Sequence, residues 1–157
     1  MFAKFFNYFI FLRIAFGRRG LGLQLLILSP LLLFDAIPKV IKAIESYDTT
    51  TVRASTGNYL VAKKISELTD CKVVFNGDGS DELFGGYLYL NNAPNDEAFQ
   101  SECERLLNDI HTFDVLRSDR SISANGLEAR TPFLDKQFVS VVRSIQPKYL
   151  RPVPGKQ

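Results

Sequence analysis

The sequence has little cysteine and histidine, and it has no tryptophan. Its two cysteines, Cys71 and Cys103, lack a CxxC spacing and are too few for a disulfide scaffold. His111 is the one histidine, so the ligands of a structural zinc site are missing too. The formal net charge is only +2, because 19 Lys and Arg residues are nearly balanced by 17 Asp and Glu residues. A general nucleic-acid-binding surface, which needs clustered basic residues, is therefore not expected.

The composition is uneven, and it changes near residue 34. Residues 1–34 hold four basic residues, no acidic residue and seven of the thirteen phenylalanines. The rest of the chain has a slight acidic excess and ordinary globular composition, typical of a cytoplasmic protein. We therefore divide the chain into an apolar head (residues 1–34) and a body (residues 35–157). The length of 157 residues suits one domain or part of a larger one.

The head consists of two apolar runs, residues 1–16 and 21–34, separated by the basic break GRRG. A membrane-spanning helix needs about 20 consecutive apolar residues, and neither run reaches that length. The second run also lacks the small-residue cleavage site of a signal peptide. Three interpretations stay open: a membrane anchor or interfacial segment, a buried element of the domain, or a head that is not native to the body. We favour the third, so a membrane is a partner only if residues 1–34 are genuine.

The body shows helical periodicity with one short β-branched run. Asp35 is a predicted N-cap for a helix, whose apolar positions are Ile37, Val40, Ile41, Ile44 and Tyr47. The hydroxyl-rich residues 48–56 are predicted as a loop, and residues 71–75 as a buried strand. Further helices are predicted over residues 57–68, 96–111 and 136–145, with a polar stretch over residues 117–125. The predicted fold class is therefore α/β with helices dominating.

The most informative motif is the run NGDGSDE, residues 76–82, directly after the predicted strand. In open α/β sheets, ligands bind beyond the carboxyl ends of strands, and glycines let the backbone approach them. The acids Asp78, Asp81 and Glu82 repel one another unless they are solvated or hold a cation, and Mg²⁺ prefers carboxylates with substrate phosphates. The alternative is an acidic turn at a helix N-terminus, where acids are favourable anyway.

Two further candidates carry charge beside hydroxyl or acidic residues. Arg53 lies among threonines, which suits a carboxylate or phosphate ligand, although a solvated surface arginine explains the composition equally well. The second candidate site consists of residues 128–130 (EAR) with Asp135 and Lys136. The alternative interpretation of this segment is an exposed cluster of ion pairs, which adds little stability. His111 is predicted to lie at a helix end, where its charge favours the helix dipole.

Three long motifs occur in one order: YDTTTVRASTGNYLVAKKI, VVFNGDGSDELFGGYLYL and LRSDRSISANGLEARTPFLDK. Together with the helix that follows, they resemble the synthetase domain of glutamine-hydrolysing asparagine synthetases from about residue 35 to 147. The resemblance implies part of an adenine-nucleotide α-hydrolase-like (PP-loop ATP pyrophosphatase) fold with a parallel strand core. It implies that ATP and Mg²⁺ are used to convert aspartate into β-aspartyl-AMP. Ammonia, released from glutamine in a separate domain, then displaces AMP. A homo-oligomer is expected.

The resemblance also assigns roles to the run after the strand. Asn76 and Gly77 fall where the family's Ser-Gly contacts the nucleotide. Asp78 falls where a glutamate is usual, at a position linked to forming and attacking the aspartyl-adenylate. Asp81 matches a ligand of the Mg²⁺–pyrophosphate unit.

Other positions of the same family pocket lie elsewhere in the sequence. Thr50, Thr51 and Arg53 match positions that line the aspartate and nucleotide pocket, and Tyr87 lies in the same wall. Lys136 matches a basic residue near the pyrophosphate. We therefore predict Asp78, Arg53 and Lys136 as catalytic, and the others as substrate-binding or metal-binding residues.

The sequence also departs from the family pattern. The pyrophosphate loop Ser-Gly-Gly-x-Asp-Ser-Ser is absent, and Phe2 stands where the family's glutaminase domain has its cysteine nucleophile. We therefore expect a fragment of the synthetase domain, without the glutaminase domain and without activity of its own. Two alternatives stay open: a non-catalytic interaction protein that binds through an open sheet edge, and a β-lactam synthetase-type cyclase. The long agreement around GGYLYL and GLEARTPFLDK argues against the cyclase.

Overall fold

The computed structural model describes residues 13–14, 24–25 and 30–151. These divide into two compact units. The first contains the described residues up to Lys72 together with Arg120–Leu127, and the second contains Val73–Asp119 and the described residues from Glu128 onward. Most of the head, on which the three interpretations depend, lies outside the described residues. Within the described part, no helix has both the length and the apolar character needed to cross a membrane.

The first unit is built on two helices. Its elements are β1 (Arg13–Ile14), β2 (Gln24–Leu25), α1 (Pro30–Ile44) and α2 (Thr49–Leu68), and β1 pairs with β2 antiparallel. Ala36, Val40 and Ile44 recur every four residues and therefore form one buried face of α1. This face packs against Val52 and Leu60 of α2 to form the core of the unit.

The first predicted helix is present but begins earlier than expected. Helix α1 starts at Pro30 and continues through Asp35, so Asp35 lies inside the helix instead of capping it. The predicted boundary between head and body falls inside this continuous helix. Tyr47 lies beyond the helix end and is 88% exposed, so its apolar ring was wrongly included in the helical pattern.

The prediction of a loop over residues 48–56 is wrong, because these residues begin α2. The side chain of Asp48 caps the helix by accepting a hydrogen bond from the backbone N–H of Thr51 at 2.7 Å. An aspartate at this position satisfies a donor that the first turn leaves free. Val52 and Thr56 are buried, so burial of this helix face outweighs the low helix propensity of the threonines.

The second unit contains a parallel strand pair and most of the remaining helices. Its elements in chain order are β3 (Val73–Phe75), α3 (Ser80–Phe84), α4 (Asp96–Asp109), α5 (Asp114–Ser123, which contributes to both units), β4 (Glu128–Arg130) and α6 (Lys136–Arg143). Short 3₁₀ helices cover Leu88–Asn92, Ile110–Thr112, Pro132–Leu134 and Pro147–Tyr149. Strands β3 and β4 pair in parallel, with Val73 opposite Glu128 and Phe75 opposite Arg130. The structure is therefore α/β, helix-rich with a small parallel sheet, as predicted.

The strand predicted over residues 71–75 is confirmed as β3, but its predicted burial is wrong. Val73 is 46% exposed and Phe75 is 83% exposed. The reason is that β3 pairs with β4 alone among the described residues, so one edge and much of its surface stay uncovered. Strand β4 went unpredicted because its sequence, EAR, has neither apolar alternation nor β-branched residues.

The core of the second unit lies where α4 meets the chain on either side of it. Leu90, Phe99 and Cys103 are buried together, and Tyr87 and Leu150 pack against them. The predicted helices at residues 96–111 and 136–145 are confirmed as α4 and α6, and the polar stretch over residues 117–125 is mostly helical. His111 lies just after α4, as predicted, with its Nδ1 2.8 Å from the carbonyl oxygen of Asn108.

Candidate functional site

The loop after β3 is shaped by hydrogen bonds among its own residues. The backbone N–H of Asn76 donates to the carbonyl of Arg130 at 2.8 Å, which extends the parallel ladder by one residue. The Asn76 side-chain amide donates to Asp78 Oδ2 at 2.8 Å, and the Asp78 N–H donates back to Asn76 Oδ1 at 3.2 Å. Asparagine and aspartate favour such local turns. The Asp78 carboxylate is therefore held at a defined, half-buried place at the carboxyl end of β3.

This loop rests on the turn that follows β4. Gly79 has a φ of +93°, and a Cβ atom there would overlap the side chain of Leu134. Leu134 ends the 3₁₀ turn after β4, and exposed Lys136 begins α6 two residues later. Because β3 and β4 are parallel, the loops that follow them leave the sheet at the same end. The structure thus brings the run at residues 76–82 and Lys136 to one end of the sheet.

The three acids of this run do not form one cluster. Asp78 is engaged by Asn76, Asp81 is exposed, and Glu82 is buried with 2% of its surface exposed. In the described part of the chain, no group of three or more Asp, Glu, His or Cys side chains is arranged to hold a metal ion. One exposed carboxylate at Asp81 nevertheless fits Mg²⁺, which binds through one or two carboxylates and takes its other ligands from substrate phosphates and water.

Tyr87 lies beside these acids and is half-buried. Its hydroxyl donates to Glu82 Oε1 at 2.5 Å. Burial raises the pKa of Tyr87 well above its ordinary value, and the hydrogen bond to the Glu82 carboxylate raises it further. The phenol therefore keeps its proton at neutral pH. Sequence reasoning considered Glu82 as a possible cation ligand or as part of an acidic turn at a helix N-terminus, and it did not predict this pairing.

Thr50, Thr51 and Arg53 lie in the first two turns of α2, where Thr50 and Arg53 are exposed. The structure therefore places them together on a helix, not in the predicted loop. They belong to the first unit, whereas the loop after β3, Tyr87 and Lys136 belong to the second. The nine predicted site residues thus form two sets, one in each unit.

The remaining candidate, residues 128–130 with Asp135, forms local interactions. Arg130 Nε lies 2.7 Å from Glu128 Oε1, and both side chains are well exposed, so this ion pair adds little stability. Asp135 caps α6 by accepting the backbone N–H groups of Gln137 and Phe138, each at 3.0 Å. These observations favour the exposed ion-pair interpretation for that segment.

Glycine, carboxylates and a lysine thus meet at the carboxyl end of a parallel strand pair. This is where α/β proteins bind phosphorylated ligands, which defines the general class of the site. The family model of asparagine synthase matches residues 17–101 and 91–152 of the chain. Because these segments cover most of the sequence, the chain belongs to the asparagine synthase family.

Curated relatives agree with this assignment. The chain is 50% identical over 121 residues to the glutamine-hydrolyzing asparagine synthetase of Homo sapiens, which is 77% of this chain and 22% of the human protein. It is 50% identical over 124 residues to the glutamine-hydrolyzing asparagine synthetase 3 of Arabidopsis thaliana, covering 78% of this chain and 21% of that protein. A probable glutamine-hydrolyzing asparagine synthetase of Schizosaccharomyces pombe is 53% identical over 114 residues, which cover 73% of this chain and 20% of that protein. The chain therefore spans about a fifth of the length of these relatives.

Proposed function

We propose that residues 35–157 are part of the synthetase domain of a glutamine-hydrolysing asparagine synthetase, a cytoplasmic carbon–nitrogen ligase with the PP-loop fold. The observation that carries the proposal is the loop after β3, which holds Asp78 and Asp81 at the same sheet end as Lys136. About 50% identity to proteins named asparagine synthetase supports the substrate assignment. The substrates are then aspartate, ATP and ammonia.

The proposed reaction has two steps. The side-chain carboxylate of aspartate attacks the α-phosphorus of ATP, which forms β-aspartyl-AMP and releases pyrophosphate. Ammonia from glutamine hydrolysis in a separate domain then attacks the activated carbonyl carbon, loses a proton and displaces AMP. Negative charge grows on the departing pyrophosphate in the first step, so cationic groups placed beside it stabilise the transition state.

In this proposal, the residues of the second unit bind the nucleotide and its phosphates. Asn76 and Gly77 contact the nucleotide, and Lys136 faces the pyrophosphate. Asp81 would hold Mg²⁺, and the bound ion would supply positive charge to neutralise the phosphates. Asp78 orients the incoming ammonia toward the acyl carbon. Its carboxylate is one methylene shorter than the glutamate usual in the family, and its hydrogen bond with Asn76 fixes where that shorter arm reaches.

The residues of α2 take the aspartate side. The guanidinium of Arg53 pairs with a carboxylate of the substrate, since arginine matches carboxylate geometry with two parallel N–H donors. Thr50 and Thr51 supply hydroxyl groups within one turn of Arg53. Tyr87 forms part of the pocket wall, with its hydroxyl committed to Glu82.

Exchange of pyrophosphate into ATP tests the first step without ammonia. The aligned segment of the human synthetase is replaced by residues 35–151 of this chain, and aspartate-dependent exchange is measured. We expect exchange, with a loss of about 10²-fold in Asp81→Asn and Lys136→Ala and no exchange in Arg53→Ala. The matched controls Asp70→Asn and Lys148→Ala change exposed residues and should leave exchange intact. A folded chimera without exchange, or full exchange in Asp81→Asn, contradicts the proposal.

The exposed sheet favours a second candidate function. Among the described residues β3 pairs with β4 alone, which leaves one edge open, and Val73 and Phe75 expose apolar side chains beside it; this suits a non-catalytic protein that binds a partner, such as a complete synthetase, through the sheet edge. Sedimentation of this chain with the complete human synthetase distinguishes the two. A complex that Phe75→Asp abolishes, together with no exchange in the chimera, would favour the interaction protein.

A further inference from the structure

Glu82 is a carboxylate inside the second unit, and the proposed reaction does not use it. It is 2% exposed, and burial of a charged group is costly unless hydrogen bonds compensate for lost water. The compensation comes from the Tyr87 hydroxyl at 2.5 Å from Glu82 Oε1. Asp81, the preceding residue on α3, is exposed instead. The two consecutive acids therefore have different surroundings and are available for different tasks.

The turn after α3 is what brings Tyr87 back to Glu82. Helix α3 ends at Phe84, and the N–H groups of its C-cap residue Gly85 and of Gly86 both donate to the carbonyl of Asp81. A Cβ atom on Gly86 would overlap the Asp81 carboxylate, so a side chain at this position would displace that carboxylate. Gly85 has a φ of +67°, and after Gly86 the Tyr87 hydroxyl reaches the carboxylate five positions earlier.

The ring of Tyr87 is held from a second side. It stacks on Tyr89, with ring centroids 5.9 Å apart and an interplanar angle of 26°. The Tyr89 hydroxyl donates to Glu102 Oε1 at 2.8 Å, and Arg105 donates two N–H groups to the same carboxylate at 2.8 and 2.7 Å. Tyr87 also packs against the core formed by Leu90, Phe99 and Cys103. Its hydroxyl and its ring plane are thus both fixed.

We propose that Glu82 is a positioning residue, which fixes Tyr87 beside Asp81 as a rigid wall of the substrate pocket without touching substrate itself. This inference rests on the proposed function, because Tyr87 lines a pocket only if the pocket binds aspartate and ATP. Pre-organised walls improve binding because less conformational freedom is lost when the ligand arrives. Removal of the Glu82 carboxylate should therefore free Tyr87 to move, and substrate binding should weaken because the pocket wall is no longer fixed.

The first experiment reads the Glu82–Tyr87 pair directly in the 157-residue chain. Tyrosine ring carbons are labelled with ¹³C, and Tyr87→Phe identifies the Tyr87 signal. At pH 10.5 an ordinary tyrosine is about three quarters ionised, whereas Tyr87 should stay protonated. With both signals followed from pH 10.5 upward, we expect Glu82→Gln to lower the pKa of Tyr87, whose burial remains, and to leave that of Tyr89 unchanged. Glu102→Gln, the matched control, should lower the pKa of Tyr89 only. Unchanged Tyr87 ionisation in Glu82→Gln would overturn the pairing.

The second experiment tests the consequence for binding. The dissociation constant of Mg–ATP is measured with saturating aspartate in the chimera that carries residues 35–151 within the human synthetase. We expect Glu82→Gln and Tyr87→Phe each to raise it about tenfold, and the double variant to raise it no further, because Glu82 acts through Tyr87. Glu104→Gln, which changes a carboxylate on a different helix, α4, should leave the dissociation constant unchanged. Additive effects, or no effect of Glu82→Gln, would overturn the inference.

The two experiments separate the inference from the proposed function. If the unsubstituted chimera binds no Mg–ATP, the proposed function fails, and the inference built on it fails with it. The labelled Tyr87 signal still shows in that case whether Glu82 holds the ring. If the chimera binds Mg–ATP and its Glu82→Gln variant binds equally well, the proposed function stands and Glu82 has no positioning role.

Discussion

Gly85 joins the candidate site to the core of the second unit, and alanine at this position tests that packing. Its backbone has a φ of +67°, and a Cβ atom added there would lie 2.6 Å from two ring carbons of Phe99. Phe99 is 2% exposed and packs with Leu90 and Cys103, so its ring has little room to withdraw. Two separate penalties therefore apply to Gly85→Ala.

The size of the effect follows from these two penalties. A residue with a Cβ atom in the left-handed conformation costs about 1–2 kcal/mol. Insertion of a methyl group into a packed core costs about 1–3 kcal/mol more. Gly126 provides the control, because its φ is +72° and no heavy atom of the described residues lies within 4 Å of an added Cβ. Gly126→Ala should therefore lose about 1–2 kcal/mol, and Gly85→Ala about 2–5 kcal/mol.

Native-state amide hydrogen exchange is the appropriate assay, because it measures opening free energies separately in each part of the structure. The effect of Gly85→Ala is measured in α4, and that of Gly126→Ala in α5. Phe99→Leu should recover part of the loss in a Gly85→Ala background, because it makes room for the added methyl group. Equal losses in the two glycine variants, or strictly additive effects of Gly85→Ala and Phe99→Leu, would refute the packing argument.

Three further predictions concern a helix cap, a carboxylate and the cysteines. Asp48→Ala should destabilise the first unit by about 1 kcal/mol in urea unfolding, while Asp48→Asn keeps the cap of α2 and should cost much less. Hydrogen bonds from Arg105 lower the pKa of Glu102 from 4.5 to about 2, so its stabilisation should be complete above pH 4.5 and lost toward pH 2. Glu102→Gln should flatten the free energy of unfolding over that range, and an unchanged profile would contradict the assignment. Exposed Cys71 should react quickly with a thiol reagent, whereas Cys103 should not, because burial raises its pKa to about 11; equal rates would contradict the burial.

The strand β3 and the loop after it could be predicted from the sequence, because a β-branched run followed by glycines and acids is typical of a strand that ends at a turn. The start of α2 could not be predicted, because threonines have a low helix propensity. The helix is stabilised there by the Asp48 cap and by burial of Val52 against α1. Strand β4 was also hidden, because its three residues take their conformation from pairing with β3 and not from their own propensity.

The candidate site divides in the same way. Asp78, Asp81 and Lys136 could be found from motif agreement, and parallel strand pairing explains why their loops leave the same end of the sheet. The pairing of Glu82 with Tyr87 could not be found, because a spacing of five residues has no meaning across a helix end and a glycine turn. Such contacts depend on the exact path of the turn, which no periodicity encodes.

The most direct test of the account is whether the loop after β3 binds Mg–ATP. Backbone amide resonances of the ¹⁵N-labelled chain are followed while Mg–ATP is added in the presence of aspartate. The account predicts that amides of residues 76–81 and of Lys136 shift together and saturate, and that Asp81→Asn weakens this response about tenfold or more. It predicts no response at exposed Asp70. Saturating shifts confined to other parts of the chain, or an equal response in Asp81→Asn, would contradict the central claim.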